Sequence, residues 1–199
     1  MDLTHDQLDA LKELINIGVG QAAGMLSEMI DYNIRLQIPE VEILPLLEMQ
    51  NQQKKRLGSD PLSAVKLPFS GSFAGNAQLI FPTESAAMLV SVLTGEDVES
   101  PDLDSLKIST LSEVGNILLN GVMGSISNIL EQQLDYAIPC YEEEDIDHIL
   151  SFKMGYNEAH VLLARTHFDI EELQVKGDIV LFFDVNSFQL LLNAIAAVA

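Results

Sequence analysis

Residues 9–30 read DALKELINIGVGQAAGMLSEMI, and residues 109–130 read STLSEVGNILLNGVMGSISNIL. Laid over each other at an offset of 100, they share Leu11/Leu111, Glu13/Glu113, Asn16/Asn116, Ile17/Ile117, Gly24/Gly124 and Ser27/Ser127. The same offset then pairs Pro39 with Pro139. A second match closes each half, with the offset grown to 102. GNAQLIFPTESAAMLVSVL from Gly75 lies over GDIVLFFDVNSFQLLLNAI from Gly177, with Gly75/Gly177, Phe81/Phe183, Ser85/Ser187 and Leu89/Leu191 in common. One such match arises easily by chance, but two in the same order imply an internal duplication.

Working outward, each half reads as a long helix, a group of strands and a shorter helix. The 3.6-residue apolar period predicts long helices over 4–31 and 103–133, the second capped by Asp104 or Ser105. Runs of β-branched and aromatic residues predict strands over 35–46, 64–69 and 72–81, and again over 136–141, 160–168 and 173–183. Shorter helices follow over 83–94 and 186–198. Residues 50–63 are polar, with Lys54, Lys55, Arg56, Gly58 and Pro61, and read as an exposed loop. GEDVESPD, 95–102, is the best boundary between the halves. YEEEDIDH, 141–148, reads as an acidic insertion with no counterpart in the first half. The expected fold is α+β: a mixed or antiparallel sheet covered by two long and two shorter helices, with pseudo-twofold symmetry. Neither half can cover both faces of its own strands, so residues 1–199 are expected to form one domain of two repeats, about 4–94 and 103–198.

Asp9, Glu13 and Asn16 stand at i, i+4 and i+7, on one helix face that Gly20 continues. Ser109, Glu113, Asn116 and Asn120 repeat that polar face. Leu8, Leu11, Ile15, Ala22, Met25, Leu26 and Met29 form a separate apolar stripe, as do Ile108, Leu111, Val114, Leu118, Ile126 and Ile129. A lone Glu-x-x-Asn is most simply part of a solvated surface. Here the pair recurs at matching positions although asparagine is a poor helix former and the neighbouring residues have diverged. Gly18, Gly20, Gly24, Gly121 and Gly124 also sit inside helices, where each costs ~1 kcal/mol relative to alanine. Close approach of another backbone, from the sheet beneath or from a docking partner, justifies that cost, and the sheet is the simplest neighbour for Gly24 and Gly124.

Composition narrows the function classes. Ten Lys and Arg against thirty Asp and Glu give a formal charge of −20, which repels nucleic acid and anionic lipid; it is most simply a solubility feature, and the functional alternative is a preference for partners with basic side chains. The apolar stretches are far shorter than the roughly 20 residues that span a bilayer, so no membrane insertion is expected. MDLTHDQLDALKE at the start has neither a basic n-region nor an apolar h-region, and Cys140 is the only cysteine. A cytoplasmic protein without internal disulfides or multi-cysteine metal sites is expected. His5, His148, His160 and His167 show no ligand spacing that a helix aligns, although His160 and His167 suit adjacent strand positions. No glycine-rich phosphate loop follows a strand. Met25, Met29, Met123 and Met154 read as core fillers.

The two motifs have the form Asp/Ser-x3-Glu-x2-Asn-x22-Pro, met by Asp9, Glu13, Asn16 and Pro39 and again by Ser109, Glu113, Asn116 and Pro139. In this the chain resembles the CheC, CheX and FliY-type family of response-regulator phosphatases, and most of all CheC, whose members can keep two copies. The resemblance implies hydrolysis of the aspartyl phosphate of a CheY-like response regulator. The partner brings Mg²⁺, a lysine and the phosphorylated aspartate, so this chain binds no cofactor of its own. Asn16 and Asn116 then orient the attacking water, since a carboxamide both donates and accepts. Glu13 and Glu113 pair with the partner's lysine, while Asp9, Gly20, Ser109 and Asn120 are docking residues. Pro39 and Pro139 set strand entry. CheC-type first motifs commonly continue Asn-Ile-Gly-x-Gly-Asn-Ala. Here Gln21 replaces that second asparagine, and Asn120 stands where the first motif has Gly20. The alternative is a non-catalytic adaptor that sequesters a response regulator or a CheD-like partner.

Overall fold

The structure is a computed structural model that describes residues 4–30, 33–57, 60–99, 103–149, 160–170, 173–183 and 185–198. Gly58, Met154 and residues 100–102 of the boundary segment lie outside the described residues, as do the side chains of Met29, Pro39, Asp104 and His160. The chain runs α1 (His5–Ile30), β1 (Ile34–Pro45), α2 (Leu46–Leu57), β2 (Leu62–Gly71), β3 (Gly75–Pro82) and α3 (Thr83–Thr94). It continues with α4 (Leu103–Ile129), β4 (Leu134–Tyr136), β5 (Cys140–Glu144), α5 (Ile146–Ile149), β6 (His160–Ile170), β7 (Leu173–Phe183) and α6 (Val185–Val198). α4 begins at Leu103, so Asp104 and Ser105 are inside the helix rather than at its cap.

Every strand pairing is antiparallel, in the order β1-β6-β7-β3-β2-β4, with β5 also paired to β2. The sheet is antiparallel, not mixed. The hairpins β2–β3 and β6–β7 meet at its centre, where Gly75 stands opposite Phe183 and Ile80 opposite Asp178. Glycine is required there by close approach. A Cβ on Gly75 would lie 2.0 Å from the Phe182 carbonyl, and one on Gly177 would lie 2.6 Å from the Phe81 ring.

Alternation along the strands splits the apolar side chains between two faces. One face, with Val65, Leu79, Phe81, Leu162, Ile179 and Phe183, packs with α1, α3, α4 and α6 into the main core. The other, with Leu62, Ala64, Ile80, Val161, Leu163, Val180 and Phe182, lies under Met49 of α2 and Ile146 and Ile149 of α5. No helix among the described residues is long and apolar enough to cross a membrane.

Three sequence expectations need correction. Residues 50–57 are not loop but the end of α2, whose buried face carries Met49 and then Gln53. Gln53 donates to the buried carboxylate of Asp178 at 2.8 Å and accepts from Arg56, which also pairs with Asp178. A helix anchored by a polar cluster leaves little apolar period to read. The strand expected over 136–141 is broken into β4 and β5. Ala137 donates to the Pro68 carbonyl at 3.0 Å, but Pro68 has no N–H to return, and Pro139 lacks one too. The acidic segment 141–148 forms β5 and α5. α5 follows its strand much as α2 follows β1, so the segment has a counterpart after all.

Candidate functional site

α1 starts with a reciprocal cap: Thr4 N–H donates to Gln7 Oε1 at 3.0 Å and Gln7 N–H donates to Thr4 Oγ1 at 3.2 Å. From there Leu11, Leu14, Ile15, Val19, Ala22 and Leu26 turn into the core. Asp9, Glu13, Asn16 and Gly20 are left exposed on the opposite face. Asp9 is held by His5, 2.8 Å away, and by Lys12 at 4.0 Å. Glu13 and Asn16 make no hydrogen bond or ion pair among the described residues.

α4 repeats this with differences. Ser109 and Glu113 are exposed, while Asn116 and Asn120 are half-buried. The Ser109 hydroxyl donates to the Leu106 carbonyl at 3.1 Å, a bond within its own helix. Glu113 has no partner among the described residues. Asn116 does: Asn120 Nδ2 lies 2.7 Å from both the Asn116 carbonyl and Asn116 Oδ1.

The two helices touch at their glycines. A Cβ on Gly18 would sit 2.6 Å from the Gly121 carbonyl and from Val122 Cα, and one on Gly121 would sit 2.9 Å from the Gly18 carbonyl and Ala22 Cβ. Beside this crossing the two helices line an open groove of about 590 Å³. Gln21, Gly24, Met25 and Glu28 of α1 face Asn116, Ile117, Asn120, Gly121, Gly124 and Asn128 of α4 across it. Asn116 and Asn120 therefore reach the groove, whereas Asn16 and Gly20 do not line it.

Several expectations change here. Gly24 and Gly124 border this groove, with nothing within 4 Å of an added Cβ, rather than lying against the sheet. The motif-helix glycine that does meet the sheet is Gly115, whose added Cβ would fall 2.5 Å from the Val65 side chain. Met25 is 59% exposed at the groove and is no core filler, while Met123 is fully buried. Ile108 and Ile129 likewise face outward, at 52% and 38% exposed. His160 and His167 lie seven residues apart on the single strand β6, not on adjacent positions. Met25 was read only as apolar core and Ile117 only as a repeated position, and Glu28 and Asn128 were not singled out from sequence. The equivalence of Glu28 and Asn128, one offset apart, was the available signal.

Each helix thus presents a carboxylate and a carboxamide one turn apart. A free carboxylate suits a cation on a partner, and an amide suits a water or phosphoryl oxygen.

No protein-family model matches the chain. It is 24% identical to the CheY-P phosphatase CheC of Bacillus subtilis (strain 168) over 98% of this chain and 96% of that protein. It is 23% identical to the flagellar motor switch phosphatase FliY of the same organism over 73% of this chain, but spans only 38% of that longer protein. The fold matches Thermotoga maritima FliY with a TM-score of 0.78 at 19% identity, covering 100% of both chains. Over nearly its whole length the chain is similar in sequence to CheC, and in fold it is similar to FliY.

Proposed function

We propose that this chain is a protein phosphatase that hydrolyses the aspartyl phosphate of a CheY-like response regulator. The observation that carries the reading is the twice-presented pair Glu13/Asn16 and Glu113/Asn116, with both carboxylates and Asn16 unengaged on the solvent face of a long helix. Its likeness to a CheY-P phosphatase along almost the full chain supports the same substrate class.

In the reaction, a water attacks the phosphorus in line, the bond from phosphorus to the aspartyl oxygen breaks, and the products are inorganic phosphate and a free aspartate. Asn16 or Asn116 accepts a hydrogen bond from the water and donates to a phosphoryl oxygen, which fixes the water without a proton shuttle. Glu13 or Glu113 pairs with the regulator's lysine. Mg²⁺ belongs to the regulator, where it neutralises the phosphoryl charge. Asp9, Gly20, Ser109 and Asn120 border the two docking faces of a single domain built from two repeats. The chain's charge of −20 favours a regulator, or a CheD-like second partner, that presents basic side chains.

Decay of purified phosphorylated regulator tests this reading. Wild type accelerates the decay, and the Asn16→Ala, Asn116→Ala double variant loses about 10²-fold, the scale for removing one positioned donor at a reacting oxyanion. A double variant as fast as wild type removes the catalytic reading. Equal binding with no turnover by wild type identifies a sequestering adaptor instead.

A further inference from the structure

The geometry points to Asn120 as a positioning residue that sets the carboxamide of Asn116, and so makes the α4 site the faster of the two. This rests on the phosphatase reading above. A backbone carbonyl only accepts hydrogen bonds, so the Asn120 atom 2.7 Å from the Asn116 carbonyl has to be its Nδ2. That same nitrogen is 2.7 Å from the Asn116 side chain, where a second amide nitrogen would repel it. Asn116 therefore turns Oδ1 toward Asn120 and its Nδ2 away. One lone pair of Oδ1 is used, leaving the other lone pair and both N–H bonds for the water and a phosphoryl oxygen.

The consequence is entropic. A half-buried Asn116 held at i, i+4 has given up much of its side-chain freedom before the regulator arrives. Asn16 is exposed, has no hydrogen bond among the described residues, and has glycine at the equivalent i+4 position, Gly20. It must be ordered during each encounter. Nothing lies within 4 Å of a Cβ built on Gly20, so an asparagine fits there without displacing a neighbour.

The test isolates each site in the full chain and transplants the positioning residue. With Asn16→Ala leaving only the α4 site, adding Asn120→Ala lowers kcat about three- to tenfold, the scale of one net hydrogen bond. The loss falls mainly on kcat, and the change in KM, from the place of Asn120 at the border of the docking face, is the smaller of the two. With Asn116→Ala leaving only the α1 site, adding Gly20→Asn raises kcat by a similar factor. The side-chain amide NMR signals give a readout that needs no turnover: Asn120→Ala mobilises the Asn116 amide, and Gly20→Asn orders that of Asn16. An unchanged kcat, a change confined to KM, or an Asn116 amide equally ordered without Asn120 overturns the proposal. Failure of wild type to accelerate decay defeats the phosphatase reading instead, and the amide spectra still decide whether Asn120 holds Asn116.

Discussion

α1 and α4 carry the same glutamate and asparagine one turn apart, yet they surround them differently. On α1 the pair stands in open solvent beside Gly20, and the nearby Asp9 is tied to His5 and Lys12. On α4 the asparagine is half-buried, bonded to Asn120, and set at the rim of the groove between the helices. The motif is written twice, and the difference at one i+4 position, Gly20 against Asn120, gives one copy a held amide. Identical reactive residues therefore do not make equivalent sites.

The sharpest way to break the comparison is to remove one asparagine at a time. Asn116→Ala is expected to leave about three- to tenfold less turnover than Asn16→Ala in the same decay assay, because the α4 site does most of the work. Equal residual rates would mean that the two surroundings do not matter.

The glycines offer a second contrast, read as stability by denaturant unfolding. Gly18→Ala drives a methyl into the Gly121 carbonyl and Val122 Cα, both backbone, so a loss of about 1–3 kcal/mol is expected. Two residues along, Gly20→Ala meets open space and gains up to ~1 kcal/mol from helix propensity. Matching signs at these positions would contradict the helix crossing described here.

The smallest effect separates the halves by pH. Lys107, buried near the start of α4, pairs with Glu143 of β5 at 2.8 Å. Its positional equivalent Gln7 is spent on the α1 cap. Burial pushes the Glu143 carboxyl upward, but hydrogen bonds from Lys107 and Tyr141 outweigh this and hold it below its ordinary value. A depressed carboxylate contributes stability that is fully present above the unfolded value of about 4.3 and is lost as pH falls through the lower folded one. Urea midpoints measured below about pH 4.5 should fall less steeply for Lys107→Met than for wild type. Parallel curves would show that this pair adds nothing to the acid response.

Much of the fold was legible in local pattern. β7 and α3 occur at the expected residues, because β-branched and aromatic runs and a 3.6-residue apolar period report burial directly. The candidate pairs were legible as well, since a repeated polar face survives only where something besides packing keeps it. The Asn116–Asn120 bond was available to the same reasoning as an i, i+4 pair of amides, although both residues were read only as docking or chemical groups.

By itself, the sequence determined the two long helices, the strands that become the two hairpins and the twice-written Glu/Asn face, all of which depend on periodicity within a few turns. Tertiary structure decided the rest. α2 is held by Gln53 and Arg56 meeting Asp178 more than 120 residues away, a polar anchor that leaves no apolar stripe. The break between β4 and β5 lies beside Pro68 on another strand, and the roles of the helix glycines depend on which backbone stands opposite. The repeated motif marks two candidate sites. Their inequality follows from how deeply each helix face is packed and what lies beside its asparagine.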